Sequence, residues 1–174
     1  KNSRQKVKIS LAKILEQNEQ FHLGYGDEYK AIRFGLYAEE ELTAKDGKTI
    51  PTDGLIEVLS LDDSLSAAAT TDLPHGRSYI QEIATDEHYI LSDTKYPIEF
   101  DYQNPAIAVI DIVLNDGEPI QNDLYRGKIR GLKKCESGTP LEGVLFGLFL
   151  EGEENLTAET AIQTCPTDND GYFQ

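Results

Sequence analysis

Three polar residues, Lys13, Glu82 and Asn122, lie where the surrounding strand pattern faces the core. Each follows its apolar neighbours with a period of two, so its side chain is expected to point inward. Those neighbours are Val7, Ile9 and Leu11 for the lysine, Ile80 for the glutamate, and Ile120 and Leu124 for the asparagine. Each polar group is costly to bury without a partner. An amine, a carboxyl group and an amide that share one core can instead react with one another.

The reaction open to such a trio joins the amine to the amide. Burial lowers the pKa of a lysine and raises that of a glutamate, which makes a neutral amine and a protonated carboxyl group accessible near neutral pH. The Lys13 amine attacks the amide carbon of Asn122, Glu82 polarises the amide oxygen, and ammonia leaves. The product is neutral and stays in place. The reaction therefore occurs once, and no enzymatic turnover is expected.

Other interpretations of these residues remain open. Lys13 can extend its amine to solvent while Asn122 caps a turn. Asn115 is the rival amide, but its Asn-Asp-Gly sequence is typical of a turn with a left-handed backbone. Lys8 is the rival amine, and its strand phase directs it away from the apolar face.

The composition indicates an acidic globular chain. Its 174 residues include 31 acidic and 16 basic ones, which gives a formal net charge of −15. A field of this sign repels phosphate groups, so neither nucleic acid nor an anionic membrane is an expected partner. No apolar run of about 18 residues is present to span a bilayer. Lys1–Lys8 has no apolar stretch behind it, so no signal peptide is expected, and an exported protein would have to be longer than this sequence.

Short strands separated by turns must position the reactive residues. The predicted strands are Val7–Leu11, Ile32–Tyr37, Leu55–Leu61, Ser78–Ile83, Tyr96–Tyr102 and Ile107–Leu114. Turn sequences stand between them at Asp46-Gly47, Asp53-Gly54, Pro74-His75-Gly76 and Asn115-Asp116-Gly117. Several short strands at regular spacing favour an all-β fold, an Ig-like sandwich.

An internal repeat predicts the domain organisation. Arg33–Tyr37 followed by Leu42-Thr43-Ala44 recurs as Leu145–Phe149 followed by Leu156-Thr157-Ala158. The spacing of Asn2, Ile9 and Lys13 also recurs, at Asn122, Ile129 and Lys133. Residues 1–5 are therefore expected to be the tail of a preceding repeat or a linker. Residues 6–125 are expected to form a complete domain, and residues 126–174 the N-terminal portion of a second.

Four segments carry a family resemblance: Gly127–Lys133, Gly138–Phe146, Thr167–Phe173 and Leu73–Ile83. In their order and spacing they resemble the B-type (CnaB) repeat of Gram-positive collagen adhesins. This prealbumin-like sandwich also builds the shafts of SpaA-like, sortase-assembled pili. The insert at residues 16–30 departs from the pattern, because the family has a short turn there.

The resemblance implies a function and a location. Domains of this type often carry an isopeptide bond, for which the matching residues are Lys13, Asn122 and the promoting Glu82. Lys133 has the corresponding position in the second domain, where its partners lie beyond Gln174. The implied protein is a structural stalk module of an adhesin or pilin, extracellular and anchored to the cell wall in its full-length parent. Its partners are neighbouring repeats of the same polypeptide and, as a further candidate, a host extracellular-matrix or cell-surface ligand.

Two other functions are weighed against the stalk. A ligand-binding module would use the 16–30 insert, which is rich in aromatic residues, or the 38–54 loop. A carbohydrate-active enzyme would need a cleft with paired carboxylates, and the sequence does not indicate one. Neither a cofactor nor a metal is expected. A disulfide between Cys135 and Cys165 and two free thiols are both open, because the sequence does not give their separation.

Overall fold

The computed structural model describes residues 5–43 and 46–174. The chain forms two compact units, and the division falls between Tyr125 and Arg126. The regular structure of the described residues is almost entirely β-strand, which confirms the all-β prediction. Residues 1–4 of the predicted tail, which include Asn2, lie outside the described residues. The repeat position Ala44 also lies outside them.

The first unit is a sandwich of two main sheets. Its strands are β1 Lys6–Leu15, β2 Arg33–Ala38, β3 Leu42–Thr43, β4 Thr49–Ile50, β5 Leu55–Ser60, β6 Ser66–Ala68, β7 Gly76–Ala84, β8 Lys95–Phe100, β9 Val109–Val113 and β10 Ile120–Asn122. In one sheet, β1 pairs antiparallel with β6 and parallel with both β9 and β10. Because β1 is the first strand and β10 the last, the parallel pair places the two terminal strands of the unit side by side.

The second sheet has the strand order β5-β2-β7-β8, and all its neighbours are antiparallel. The short strands β3 and β4 form a separate hairpin. Between β2 and β7 the register shifts, so that Phe34 pairs with Glu82 whereas Arg33 pairs with Ala84. Ile83 is thus the extra residue of a β-bulge, and its side chain is exposed. A bulge of this kind changes the direction of the neighbouring side chains, and here it lies beside the buried Glu82.

Alternating side chains from both sheets fill the core of the first unit. On β1, Ile9, Leu11 and Leu15 are buried, as the period-two pattern requires. Phe34 and Leu36 of the second sheet are 0% exposed. The alternation on β1 continues through Lys13, which is only 3% exposed. A lysine therefore occupies a core position of the first strand.

The predicted turn at Asn115-Asp116-Gly117 follows β9 and forms part of a short 3-10 segment, Leu114–Gly117. Asn115 and Asp116 both have φ of 54°, and Gly117 has φ of 87°. Asparagine tolerates this left-handed region because its short side chain bonds locally. Here the Asn115 Nδ2 atom donates to the backbone oxygen of Glu118 at 3.0 Å.

The second unit contains two two-stranded antiparallel sheets. Its strands are β11 Gly131–Leu132, β12 Leu145–Leu148, β13 Gln163–Pro166 and β14 Tyr172–Phe173. The pairs are β11 with β14 and β12 with β13. The rings of Phe146 and Phe173 stack with their centroids 3.9 Å apart.

The sequence repeat has a counterpart in local structure. In the first unit the ring of Tyr37 covers Gly35, where an added Cβ would lie 2.4 Å from the ring. In the second unit the ring of Phe149 covers Gly147, where an added Cβ would lie 2.6 Å from the ring. Each glycine thus leaves free the space that the aromatic ring two residues later occupies.

Leu36 and Leu55 provide a matched test of the core, because they are leucines on the paired strands β2 and β5 with exposures of 0% and 52%. We expect Leu36→Ala to lower the free energy of unfolding by about 2–5 kcal/mol, since it leaves a cavity. Leu55→Ala should change it by no more than about 0.5 kcal/mol. Urea denaturation measures both. Equal losses would contradict the assignment of Leu36 to the core.

Candidate crosslinking site

The structure brings Lys13, Glu82 and Asn122 together in the core of the first unit. Lys13 is on β1, Glu82 is on β7 of the opposite sheet, and Asn122 is the last residue of β10. The three residues are 3%, 2% and 2% exposed. The two sheets and the parallel pairing of β1 with β10 together bring these side chains to one place.

The three side chains form a closed hydrogen-bonded cluster. The Lys13 Nζ atom donates to the Asn122 Oδ1 atom at 2.6 Å and lies 3.3 Å from Glu82 Oε1. The Asn122 Nδ2 atom donates to both carboxylate oxygens of Glu82, at 2.9 and 3.0 Å. In this arrangement Glu82 faces the amide nitrogen, whereas the sequence analysis assigned it to the amide oxygen. The carboxylate is thus beside the group that the expected reaction would release as ammonia.

Burial governs the electrostatics of the cluster. Removal from water lowers the pKa of the Lys13 amine, and the attraction of Glu82 and its hydrogen bond oppose this shift without cancelling it. The Ser92 backbone N–H donates to Glu82 Oε2 at 3.0 Å and supports the carboxylate from a second side. Burial, followed by the charge of Glu82, also raises the pKa of Tyr96. The lowered pKa increases the fraction of Lys13 in the neutral, nucleophilic form.

The strand that carries Asn122 is held in place by contacts that the sequence analysis did not identify. The Glu16 backbone N–H donates to the Asn122 backbone oxygen at 3.0 Å. Glu16 Oε2 accepts from the Leu124 backbone N–H at 2.8 Å. Tyr89, which is 1% exposed, donates its hydroxyl hydrogen to the Glu16 backbone oxygen at 3.0 Å. Glu16 thus holds the end of β10 through hydrogen bonds, although the sequence placed it at the start of the insert.

Thr85 is a further residue in contact with the cluster. It lies directly after β7, and its Oγ1 atom accepts a hydrogen bond from Asn122 Nδ2 at 2.9 Å. Strand periodicity does not extend beyond the end of a strand, so the sequence pattern does not identify Thr85. The one feature of the sequence that points to Thr85 is its hydroxyl group, three positions after Glu82.

The rival residues lie outside the cluster. Lys8 is exposed on β1, at a position that alternates away from the core. Asn115 is exposed in its turn, where its amide bonds locally.

The 16–30 insert makes polar contacts within itself and with the rest of the first unit. The Tyr29 hydroxyl donates to Asp63 at 2.6 Å, and the Glu28 carboxylate accepts from the N–H groups of Gly24 and Gly26. The aromatic residues divide into two groups. Tyr29 packs against the core, whereas Phe21 and Tyr25 are each 47% exposed. In the 38–54 loop, the described residues include the β3–β4 hairpin, and Ala44 and Lys45 lie outside them.

The predicted residues of the second unit are in different surroundings. Lys133 follows β11 and is exposed, in contrast to the buried Lys13. Cys135 and Cys165 are half-buried free thiols, so the structure has no disulfide between them. The hydrogen bond with Ser137, followed by contacts with Thr139, lowers the pKa of the Cys135 thiol to about 7.

Within the described residues there is no group of three or more His, Cys, Asp and Glu side chains arranged to hold a metal ion. The same residues contain no helix with the length and apolar character needed to cross a membrane.

The chain is similar in structure to several solved proteins, pilins among them. The Bacillus anthracis TIE protein matches with a TM-score of 0.54 at 14% identity over 97% of this chain and 26% of that one. The minor pilin GBS52 of Streptococcus agalactiae matches with a TM-score of 0.41 at 15% identity, over 70% of this chain and 46% of the pilin. A streptococcal ancillary pilin matches with a TM-score of 0.38 at 18% identity, over 97% and 49% of the two chains.

The match to the TIE protein shows a common fold, and pilins are among the structures to which the chain is similar, as the resemblance in the sequence predicts. The chain spans about a quarter of the TIE protein, at 26% of its length. No family model matches the sequence, and no curated protein matches it.

The buried amine makes a testable contribution to the pH dependence of stability. Asn122→Ala leaves Lys13 as a free amine, whose pKa in the folded chain lies below its ordinary value of 10.5. Between these two pKa values the unfolded chain binds more protons, so the free energy of unfolding rises with pH. This contribution is lost as the pH falls through the folded-state pKa.

Denaturant titrations across the alkaline range measure this effect. Asn122→Ala should show a steeper rise in stability with pH than the matched Lys13→Met/Asn122→Ala chain, in which no amine titrates at this position. Identical slopes in the two chains would contradict a lowered Lys13 pKa.

Proposed function

We propose that the chain is a structural module of a bacterial cell-surface adhesin or pilin, stabilised by an isopeptide bond that Lys13 and Asn122 form without the help of an enzyme. The observation that carries the proposal is the approach of the buried Lys13 amine to 2.6 Å from the Asn122 amide oxygen, beside Glu82. A lysine ammonium and a carboxylate are costly to bury, and a reaction that replaces the amine with a neutral amide removes part of this cost.

The geometry supports a reaction in which Glu82 carries a proton. The Lys13 ammonium gives one proton to Glu82, whose Oε1 atom is 3.3 Å from Nζ. The neutral amine attacks Asn122 Cγ, and the Nζ–Cγ bond forms. Protonated Glu82 then gives its proton to Nδ2, which its oxygens contact at 2.9 and 3.0 Å. The Cγ–Nδ2 bond breaks and ammonia leaves, and the former lysine nitrogen gives its excess proton to the regenerated Glu82 carboxylate.

The position of the bond suits a module that bears tension. Lys13 and Asn122 are 109 positions apart, on the terminal strands β1 and β10. Tension applied to the two ends of the unit passes from β1 through the bond to β10 and does not stretch the residues between them. In the chain-entropy model, closing a loop of about 100 residues also contributes ~4.7 kcal/mol to stability.

The proposed role includes the organisation and location of the chain. The first unit is the complete repeat at residues 6–125, and residues 126–174 are the opening part of a second repeat. The neighbouring repeats of one polypeptide are its immediate partners, and the full-length parent is anchored to the cell wall. The pilin-type fold and the repeated Gly35–Tyr37 and Gly147–Phe149 arrangements support this organisation.

The bond can be tested by the intact mass of the purified chain. We expect the wild-type mass to be lower than the calculated mass by one ammonia, and Lys13→Ala to have its full calculated mass. Lys8→Ala and Asn115→Ala serve as matched controls on the rival residues, and both should retain the deficit. A full calculated mass for the wild-type chain would contradict the proposal.

Single-molecule pulling from the two ends of the chain tests the mechanical role. Unfolding of the first unit in Lys13→Ala should lengthen the chain by roughly 35 nm, because about 109 residues become extended at 3.3–3.6 Å each. The crosslinked wild-type chain should lack this step. An extension of the same size in a wild-type chain whose mass shows the bond would place the bond outside the path of the force.

A further inference from the structure

The Asn122 amide makes one contact that neither Lys13 nor Glu82 accounts for. Its nitrogen has two hydrogens. One faces the Glu82 carboxylate, and the other is directed at Thr85 Oγ1, 2.9 Å from Nδ2. Glu82 and Asn122 are buried, whereas Thr85 is half-buried. Among these three residues, Thr85 is therefore the one with a larger exposed fraction.

We propose that Thr85 is a positioning residue for the crosslinking reaction: its hydroxyl oxygen fixes the plane of the Asn122 amide and receives the departing ammonia. This inference rests on the proposed isopeptide function. It assigns to Thr85 a contribution to the rate of the reaction rather than to the stability of its product.

The donors and acceptors around the Asn122 amide determine its orientation. A lysine ammonium only donates and a carboxylate only accepts, so these groups select which end of the amide faces Lys13 and which faces Glu82. Thr85 anchors the second N–H and so limits rotation of the amide about its Cβ–Cγ bond. A nucleophile must approach Cγ from outside the amide plane, and a fixed plane therefore keeps the carbon open to Nζ.

The leaving group gives Thr85 its second role. The Nζ–Cγ bond forms and the Cγ–Nδ2 bond breaks. The proton that Lys13 gave to Glu82 passes to Nδ2, and the former lysine nitrogen gives its remaining excess proton to the regenerated Glu82 carboxylate. The resulting ammonia still has an N–H directed at Thr85 Oγ1 as it moves towards solvent. After it leaves, Thr85 has lost this donor, so the contact exists only before the reaction is complete.

The rate of bond formation tests this role. The full chain is made by cell-free synthesis, samples are quenched in acid at timed intervals, and intact mass gives the fraction that has lost ammonia. Thr85→Val keeps the shape of the side chain and removes the oxygen, whereas Thr85→Ser keeps the oxygen. We expect Thr85→Val to react about tenfold more slowly, which corresponds to the loss of one hydrogen bond in the transition state. Thr85→Ser should react at a rate close to that of wild type.

A second comparison separates positioning from folding. In the Lys13→Ala background no bond can form, and the melting temperatures with and without Thr85→Val report the purely structural contribution of the hydroxyl. We expect a small difference in melting temperature there, beside the large difference in rate. If Thr85→Val does not fold, Thr85→Ala provides the second chain without the oxygen.

The outcomes distinguish this inference from the function on which it rests. Wild-type rates in both Thr85→Val and Thr85→Ala, with ammonia lost normally, would overturn the role of Thr85 and leave the bond intact. Slow reaction in Thr85→Ser would also overturn it, because that variant retains the hydroxyl. A wild-type chain that never loses ammonia would overturn the proposed function, and the role of Thr85 with it.

Discussion

The first unit is organised around an ammonium group and a carboxylate removed from water in one core. Each ion costs several kcal/mol to bury, and this cost is offset only where partners meet both groups with good geometry. Lys13 and Glu82 meet this condition through each other and through the Asn122 amide between them. Because the three residues come from β1, β7 and β10, the cluster requires both sheets and the parallel pairing of the terminal strands.

Much of this arrangement could be predicted from the sequence, because a strand has a period of two. The alternation on β1 indicates that Lys13 shares the face of Ile9 and Leu11, and all three are buried. The period does not reveal which strands become neighbours or what lies beyond a strand end. Thr85 follows β7, and Glu16 reaches Leu124 across 108 positions, so both depend on tertiary contacts with no local signal.

The repeat in the sequence predicts the local geometry of the chain better than it predicts which residues are buried. Gly35 with Tyr37 and Gly147 with Phe149 have the same local arrangement, because a glycine followed two residues later by an aromatic ring determines it within three consecutive residues. Exposure differs, however, at the corresponding leucines that follow these glycines: Leu36 is 0% exposed and Leu148 is 42% exposed. In the first unit β2 lies between β5 and β7, and burial depends on such neighbours rather than on the repeated residues.

The separation of Lys13 and Asn122 by 109 positions has a consequence for the continuity of the polypeptide. With the proposed bond in place, almost the whole first unit becomes a covalent ring from which the two ends of the chain emerge. A ring opened once remains a single connected molecule. A protease that cuts one exposed segment, such as the insert at residues 16–30, would therefore leave the two ends joined. Surface loops in such a unit can lengthen and vary without the continuity of the polypeptide depending on them.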